Sequence, residues 1–150
     1  MAQIFVYHAS DRIWDQDRID VMMGFKPDHG EKCATLLAQG GYDLVALLTD
    51  EDNLDQAYYL TNHIDDGWHE PEVLKANHIQ LGSDSNPRSS SVGDIMVVQK
   101  EGFLTAYVVS SFGFTDITAS LKAAFAVSGF SMAMVTTCPD AQNWLLGELA

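Results

Sequence analysis

Hydrogen-bonding and ionisable side chains crowd into two short stretches of this chain, Thr61-Asn62-His63-Ile64-Asp65-Asp66-Gly67-Trp68 and Arg88-Ser89-Ser90-Ser91-Val92-Gly93-Asp94. In and just after the first, His63, Asp65, His69 and Glu70 fall within eight residues, so imidazole and carboxylate could be offered to a divalent metal or serve as general acid and base. The spacing is poor for a helical zinc site, because His63 and His69 stand six positions apart across a glycine rather than four apart on one face. The competing reading has Asn62 and Asp65 closing a helix end and organising the turn after it, with Trp68 sealing that turn and no metal bound. In the second stretch, the Arg88 guanidinium, three hydroxyls and the amides of a turn make a sensible pocket for a carboxylate or phosphate. Arg88 could equally pair with Asp65 or Asp66 and tie the stretches together. Both readings predict that the two meet in space, with Gly93 present for backbone freedom and Asp94 for a turn hydrogen bond. The candidate ligand- or partner-binding set is thus Asn62, His63, Asp65, Trp68, Arg88, Ser89, Ser91 and Asp94.

Other reaction templates fit badly. Gly40-Gly41 is no phosphate loop, there is no Gly-x-Ser-x-Gly, and residues 50 to 55 lack the glycine and closing glutamate of a calcium loop. A serine from 89 to 91 with His63 and Asp65 would form a triad only on paper, since no nucleophile elbow carries it. Cys33 and Cys138, 105 positions apart, suit neither a disulfide framework nor a zinc spacing and read as buried or free thiols. No cofactor is expected.

The elements that must hold these residues can be read from periodicity and punctuation. Ile4 to His8 is a β-rich run, a helix is expected in the polar stretch around Trp14, and Glu31 to Gln39 has helical composition ending at Gly40-Gly41. Tyr42 to Leu48 predicts a strand, Asp50 a cap, and Leu54, Ala57, Tyr58 and Thr61 a helix leading into the first polar stretch. A brief extended piece is expected near His78 to Leu81. Asp94 to Gln99 and Leu104 to Ser110 flank Lys100-Glu101-Gly102-Phe103 as a hairpin, and a third strand follows Gly113. Ser120 is read as the cap of a helix through Val127, with a strand over Met132 to Thr136 and a last helix from Pro139. Strands and helices without strict alternation predict an α+β fold: a single domain over residues 1–150, with a mostly antiparallel sheet and helices packed on one face.

Charge narrows the partners. The chain holds 21 acidic and 8 basic residues for a net −13, and 17 of the acids lie in residues 1–94, including the cluster Asp11, Asp15, Asp17 and Asp20. Direct binding to nucleic acid or anionic membrane through a basic face is not expected, because phosphate neutralisation needs lysine and arginine clusters. Such acidity serves solubility, or it presents phosphate-like charge to the basic groove of a protein partner. No run reaches the ~18 apolar residues of a membrane span and the start lacks a signal-peptide pattern, so a cytoplasmic protein is expected. The oligomeric state is left open, a homodimer included.

The order Ala57-Tyr58-x-Leu60-Thr61-Asn62-x-Ile64-Asp65-x-x-Trp68, then Arg88-Ser89-x-Ser91-Val92-Gly93-Asp94-Ile95, then Ser111-Phe112-Gly113-Phe114 resembles small proteins and domains of bacterial, phage and plasmid genomes, among them YodL-like domains. The resemblance covers positions 43 to 114, about half the chain. It implies a mobile-element or accessory role and no assigned reaction. Taken with the charge, it points to a non-enzymatic acidic protein acting on a protein partner, as an anti-defence inhibitor or nucleic-acid mimic. The alternative is a small-ligand or metal-dependent enzyme using His63, Asp65 and His69, with Arg88 binding an anionic group.

Overall fold

Strand β1 (Ala2–Ala9) is the spine of the molecule, and it is apolar on both sides. In the computed structural model, which describes residues 2–10, 13, 15–62, 74, 79–81, 88–101 and 103–128, Phe5 and Tyr7 point into one core and Ile4 and Val6 into another. Among the described residues, six strands form one sheet in the order β3-β2-β1-β4-β5-β6, and every neighbouring pair is antiparallel. The remaining strands are β2 (Tyr42–Thr49), β3 (Ile79–Leu81), β4 (Ile95–Lys100), β5 (Phe103–Ser110) and β6 (Gly113–Asp116). Two-sided burial explains why β1, β2 and β4 read as nearly continuous apolar runs instead of alternating ones.

The first core lies between the sheet and three helices, α1 (Asp15–Met22), α2 (His29–Ala38) and α4 (Thr118–Ser128). From α2, Cys33, Ala34, Leu37 and Ala38 are buried, the spacing of one helical face. Gly30 lets α2 and α4 approach, since a Cβ there would stand 2.8 Å from Ile117 Cγ2. The second core is capped by the short helix α3 (Leu54–Leu60), which sets Ala57 and Leu60 against Ile4, Val6, Val45 and Met96. Tyr58 of α3 meets the Phe114 ring edge-on, with centroids 6.3 Å apart. The α+β architecture and antiparallel sheet are as expected, with three helices gathered on one face and α3 on the other.

Strand β2 serves both cores through a bulge. Val6 pairs with Ala46 and Tyr7 with Leu44, so Val45 is the extra residue. Tyr42 and Leu44 thereby face the first core while Ala46 and Leu48 face the second, a switch that a regular period of two cannot make.

Two helix starts differ from expectation. Asp50 takes a left-handed φ of 58° in the turn after β2, and Asn53 caps α3 by accepting the Gln56 amide at 3.1 Å. Helix α4 begins at Thr118, where Asp116 Oδ1 accepts the Thr118 amide, two residues before Ser120. The strand expected over Met132 to Thr136 and the helix from Pro139 lie outside the described residues, as do His63, Asp65, Trp68, His69 and Asp11. No helix among the described residues is long and apolar enough to cross a membrane.

Candidate functional site

Where β1 ends, α3 ends and β4 begins, the sheet holds its densest set of buried polar groups: His8, Thr61, Ser90 and Asp94, all under 5% exposed. The first polar stretch touches the second here through Thr61, its first residue. The Ser90 amide donates to the Thr61 carbonyl at 2.8 Å, and the two hydroxyl oxygens are 2.7 Å apart. The Thr61 hydroxyl also lies 2.8 Å from the Ala57 carbonyl, which accepts the Thr61 amide at 3.1 Å. The Ser90 hydroxyl is in turn 2.9 Å from His8 Nε2. His8, Ser90, Thr61 and Ala57 thus form one continuous hydrogen-bonded chain whose direction follows the His8 tautomer.

Catalysis by this set would depend on that tautomer and on where the carboxylate stands. A serine nucleophile needs an imidazole lone pair aimed at its hydroxyl and a carboxylate on the opposite ring nitrogen. Here Asp94 Oδ2 lies 3.8 Å from His8 Nε2, the same ring nitrogen that meets Ser90. Ser90, His8 and Asp94 are the right residue types, but Asp94 stands on the Ser90 side of the ring and not at the opposite nitrogen.

Asp94 is fully buried and fully used. Oδ1 accepts from the Ala9 amide at 3.0 Å and Arg88 NH2 at 2.7 Å, while Oδ2 accepts from Arg88 NH1 at 2.7 Å and the Ser91 amide at 2.8 Å. Four donors match the four lone-pair directions of a carboxylate. The Arg88 fork closes on a carboxylate six residues along its own loop, while Asp65 and Asp66, its other expected partners, lie outside the described residues. Arg88 also donates to the carbonyls of Ser89 at 2.9 Å and Ala9 at 3.3 Å, and its side chain remains 46% exposed.

Gly93 makes this closure possible. Its φ of 92° is open to glycine, and a Cβ would come within 2.2 Å of Val21 Cγ1. Its amide donates to Val109 at 2.8 Å, and its carbonyl accepts the Tyr42 hydroxyl. Tyr42 in turn neighbours the buried Cys33. Burial pushes the Cys33 thiol up to about 11 and raises the Tyr42 hydroxyl well above its usual value, so both are neutral near pH 7.

Of the other expected site residues, Asn62 is half-buried and its amide donates to the Tyr59 carbonyl at 3.3 Å. Ser89 is half-buried and Ser91 exposed. Asp15 opens α1, while Asp17 and Asp20 follow on the same helix. There a cleft of about 350 Å³ opens between α1 and α2, where Asp17, Asp20, Asp28 and Glu31 surround the Lys32 side chain. Lys32 Nζ stands 3.2 Å from Asp20 and 3.5 Å from Asp28, and its pKa is raised, first by the Asp20 hydrogen bond. Among the described residues, no group of three or more His, Cys, Asp or Glu is arranged to hold a metal ion.

Sequence reasoning missed His8, Tyr42 and the acids at the start of α2, Asp28 before it and Glu31 in its first turn. His8 carried one signal, a titratable residue closing an apolar strand; Asp28 and Glu31 become site residues only once α2 lies beside α1. Comparison with family models, curated proteins and solved structures found no match to this chain.

Proposed function

We propose that the chain is a non-enzymatic acidic protein that binds a basic protein partner, in the setting of a mobile element or its bacterial host. The observation that carries the reading is the Asp94 carboxylate saturated by four donors, beside the buried hydrogen bonds that join His8, Ser90 and Thr61. They commit the reactive side chains of the second polar stretch to holding a loop, a strand end and a helix end together. The surface then supplies recognition, and at net −13 it favours a cationic partner and opposes nucleic acid. The motif order supports the mobile-element setting, and phosphate-like charge suits an inhibitor seated in the basic groove of a nuclease.

Affinity capture from a bacterial lysate at low and high salt tests this reading. The wild-type chain should hold a stoichiometric basic protein that Asp17→Asn/Asp20→Asn or high salt releases. The metal-dependent alternative on His63, Asp65 and His69 predicts a stoichiometric divalent ion by elemental analysis of the purified chain and no such partner. That pair of results would replace the binding reading.

A further inference from the structure

We propose that the corner made by α1, the connector from α1 to α2, and the turn between β5 and β6 is a docking surface for a basic amphipathic helix of a protein partner. The inference rests on the acidic-binding reading and specifies where and by what chemistry the partner is held. Four large apolar side chains are open to water here: Ile19 at 49%, Met22 at 74%, Phe25 at 64% and Phe112 at 94% exposure. Ile19 and Met22 lie one turn apart on α1. The amide of Ser111 donates to the Gly24 carbonyl at 3.3 Å, which brings the residues next in sequence, Phe112 and Phe25, to the same corner. Together the four expose on the order of 500 Å², near the upper end of what an ordinary monomer leaves open.

A groove runs beside these residues. The 350 Å³ cleft between α1 and α2 shares Asp20, Asp28 and Lys32 with a neighbouring cavity of about 230 Å³, which reaches Ile19 and Met23. The cleft gathers four carboxylates about Lys32, which is already bridged to Asp20 and Asp28, and with Lys26 of the neighbouring cavity the groove holds four carboxylates and two ammonium groups. Apolar residues along one lip and an acidic floor complement a helix with leucine or phenylalanine anchors on one face and lysine or arginine beside them. Charge opposes the other occupants, since a second copy of this chain, nucleic acid and an anionic membrane would each bring negative charge to a negative groove.

The test titrates the full-length chain with a synthetic leucine/lysine amphipathic helical peptide and with a leucine/glutamate peptide of the same apolar face. Binding of the lysine peptide is expected, with amide NMR shifts confined to residues 16–32 and 111–113. Affinity should fall about tenfold on raising salt from ~50 to ~300 mM and at least about tenfold in Met22→Ser/Phe112→Ser. Both side chains are so exposed that the variant should keep its melting temperature, which is measured alongside. Equal affinity for the glutamate peptide, shifts elsewhere, no binding by either peptide, or self-association that the variant abolishes would each overturn the proposal. Lysate capture with the same variant separates this claim from the broader one. A basic partner held equally by wild type and Met22→Ser/Phe112→Ser overturns this corner and leaves acidic binding standing. Peptide binding at the corner with no captured protein overturns the acidic-binding reading.

Discussion

Asp94 shows how one carboxylate can organise a whole junction. Replacing it with alanine would strand the Ala9 and Ser91 amides and remove the carboxylate that the Arg88 fork grips. Asp94→Ala should therefore cost about 3–5 kcal/mol in urea unfolding. Arg88→Ala should cost less, about 2 kcal/mol, because that side chain is half in water and the backbone donors still hold the carboxylate. Ser90→Ala breaks the chain in the middle and should cost about 1–3 kcal/mol. If Arg88→Ala proved as damaging as Asp94→Ala, the ion pair rather than the backbone donors would hold the junction. The roles of Gly93 and Asp94 were legible because turn chemistry is local, and the meeting of Thr61 with Ser90 was legible because both stretches were too polar to pack elsewhere. The pairing of Arg88 with Asp94 was not: a loop that folds back on itself through a left-handed glycine hides a contact six residues away.

At the scale of elements, the hairpin of β4 and β5 was the plainest feature of the sequence, because β-branched runs and a short polar turn specify it locally. Lys100 pairs with Phe103, leaving a two-residue turn in which Glu101 adopts a left-handed φ of 53°. Asparagine tolerates that conformation better than glutamate, so Glu101→Asn should stabilise the protein by about 0.5–1 kcal/mol, read as a higher urea midpoint at unchanged slope. A lower midpoint would mean that the glutamate makes a compensating contact. The start of α3 was misplaced for a related reason: Asp50 and Asn53 are both good caps, and only the chain's direction after β2 selects the second. The bulge in β2 could not be seen at all, because Leu44 through Leu48 are all apolar and no polar residue marks which side chain faces which way.

Across the whole molecule, two apolar cores carry a very acidic surface, and the buried ionisable groups set an upper pH limit. Cys33 lifts from 9.0 in the open chain to about 11 when folded, so the folded form retains its proton where the unfolded form loses it. The resulting stability is complete below pH 9 and disappears as pH rises towards 11, a loss of about 2–3 kcal/mol that Tyr42 deepens. Urea midpoints at pH 8 and 11 should show it, and Cys33→Ala should flatten the slope; an unchanged slope would assign the effect to Tyr42. Composition and periodicity conveyed the fold class well, because burial is a statistical property of the whole chain. The acidic groove was only half legible, since Asp17 and Asp20 are marked by crowding while Asp28 and Glu31 depend on how two helices lie together. The bulge in β2 also bears on how this protein can change length through inheritance. Because Val6 and Tyr7 pair with Ala46 and Leu44, losing codon 45 would keep every partner across β1 and every side chain on its own face, at the expense of one buried valine. Loss of a codon a few positions later would turn the end of the strand inside out. At Val45, β2 carries a spare letter that descendants of this sequence can drop without rewriting the sheet.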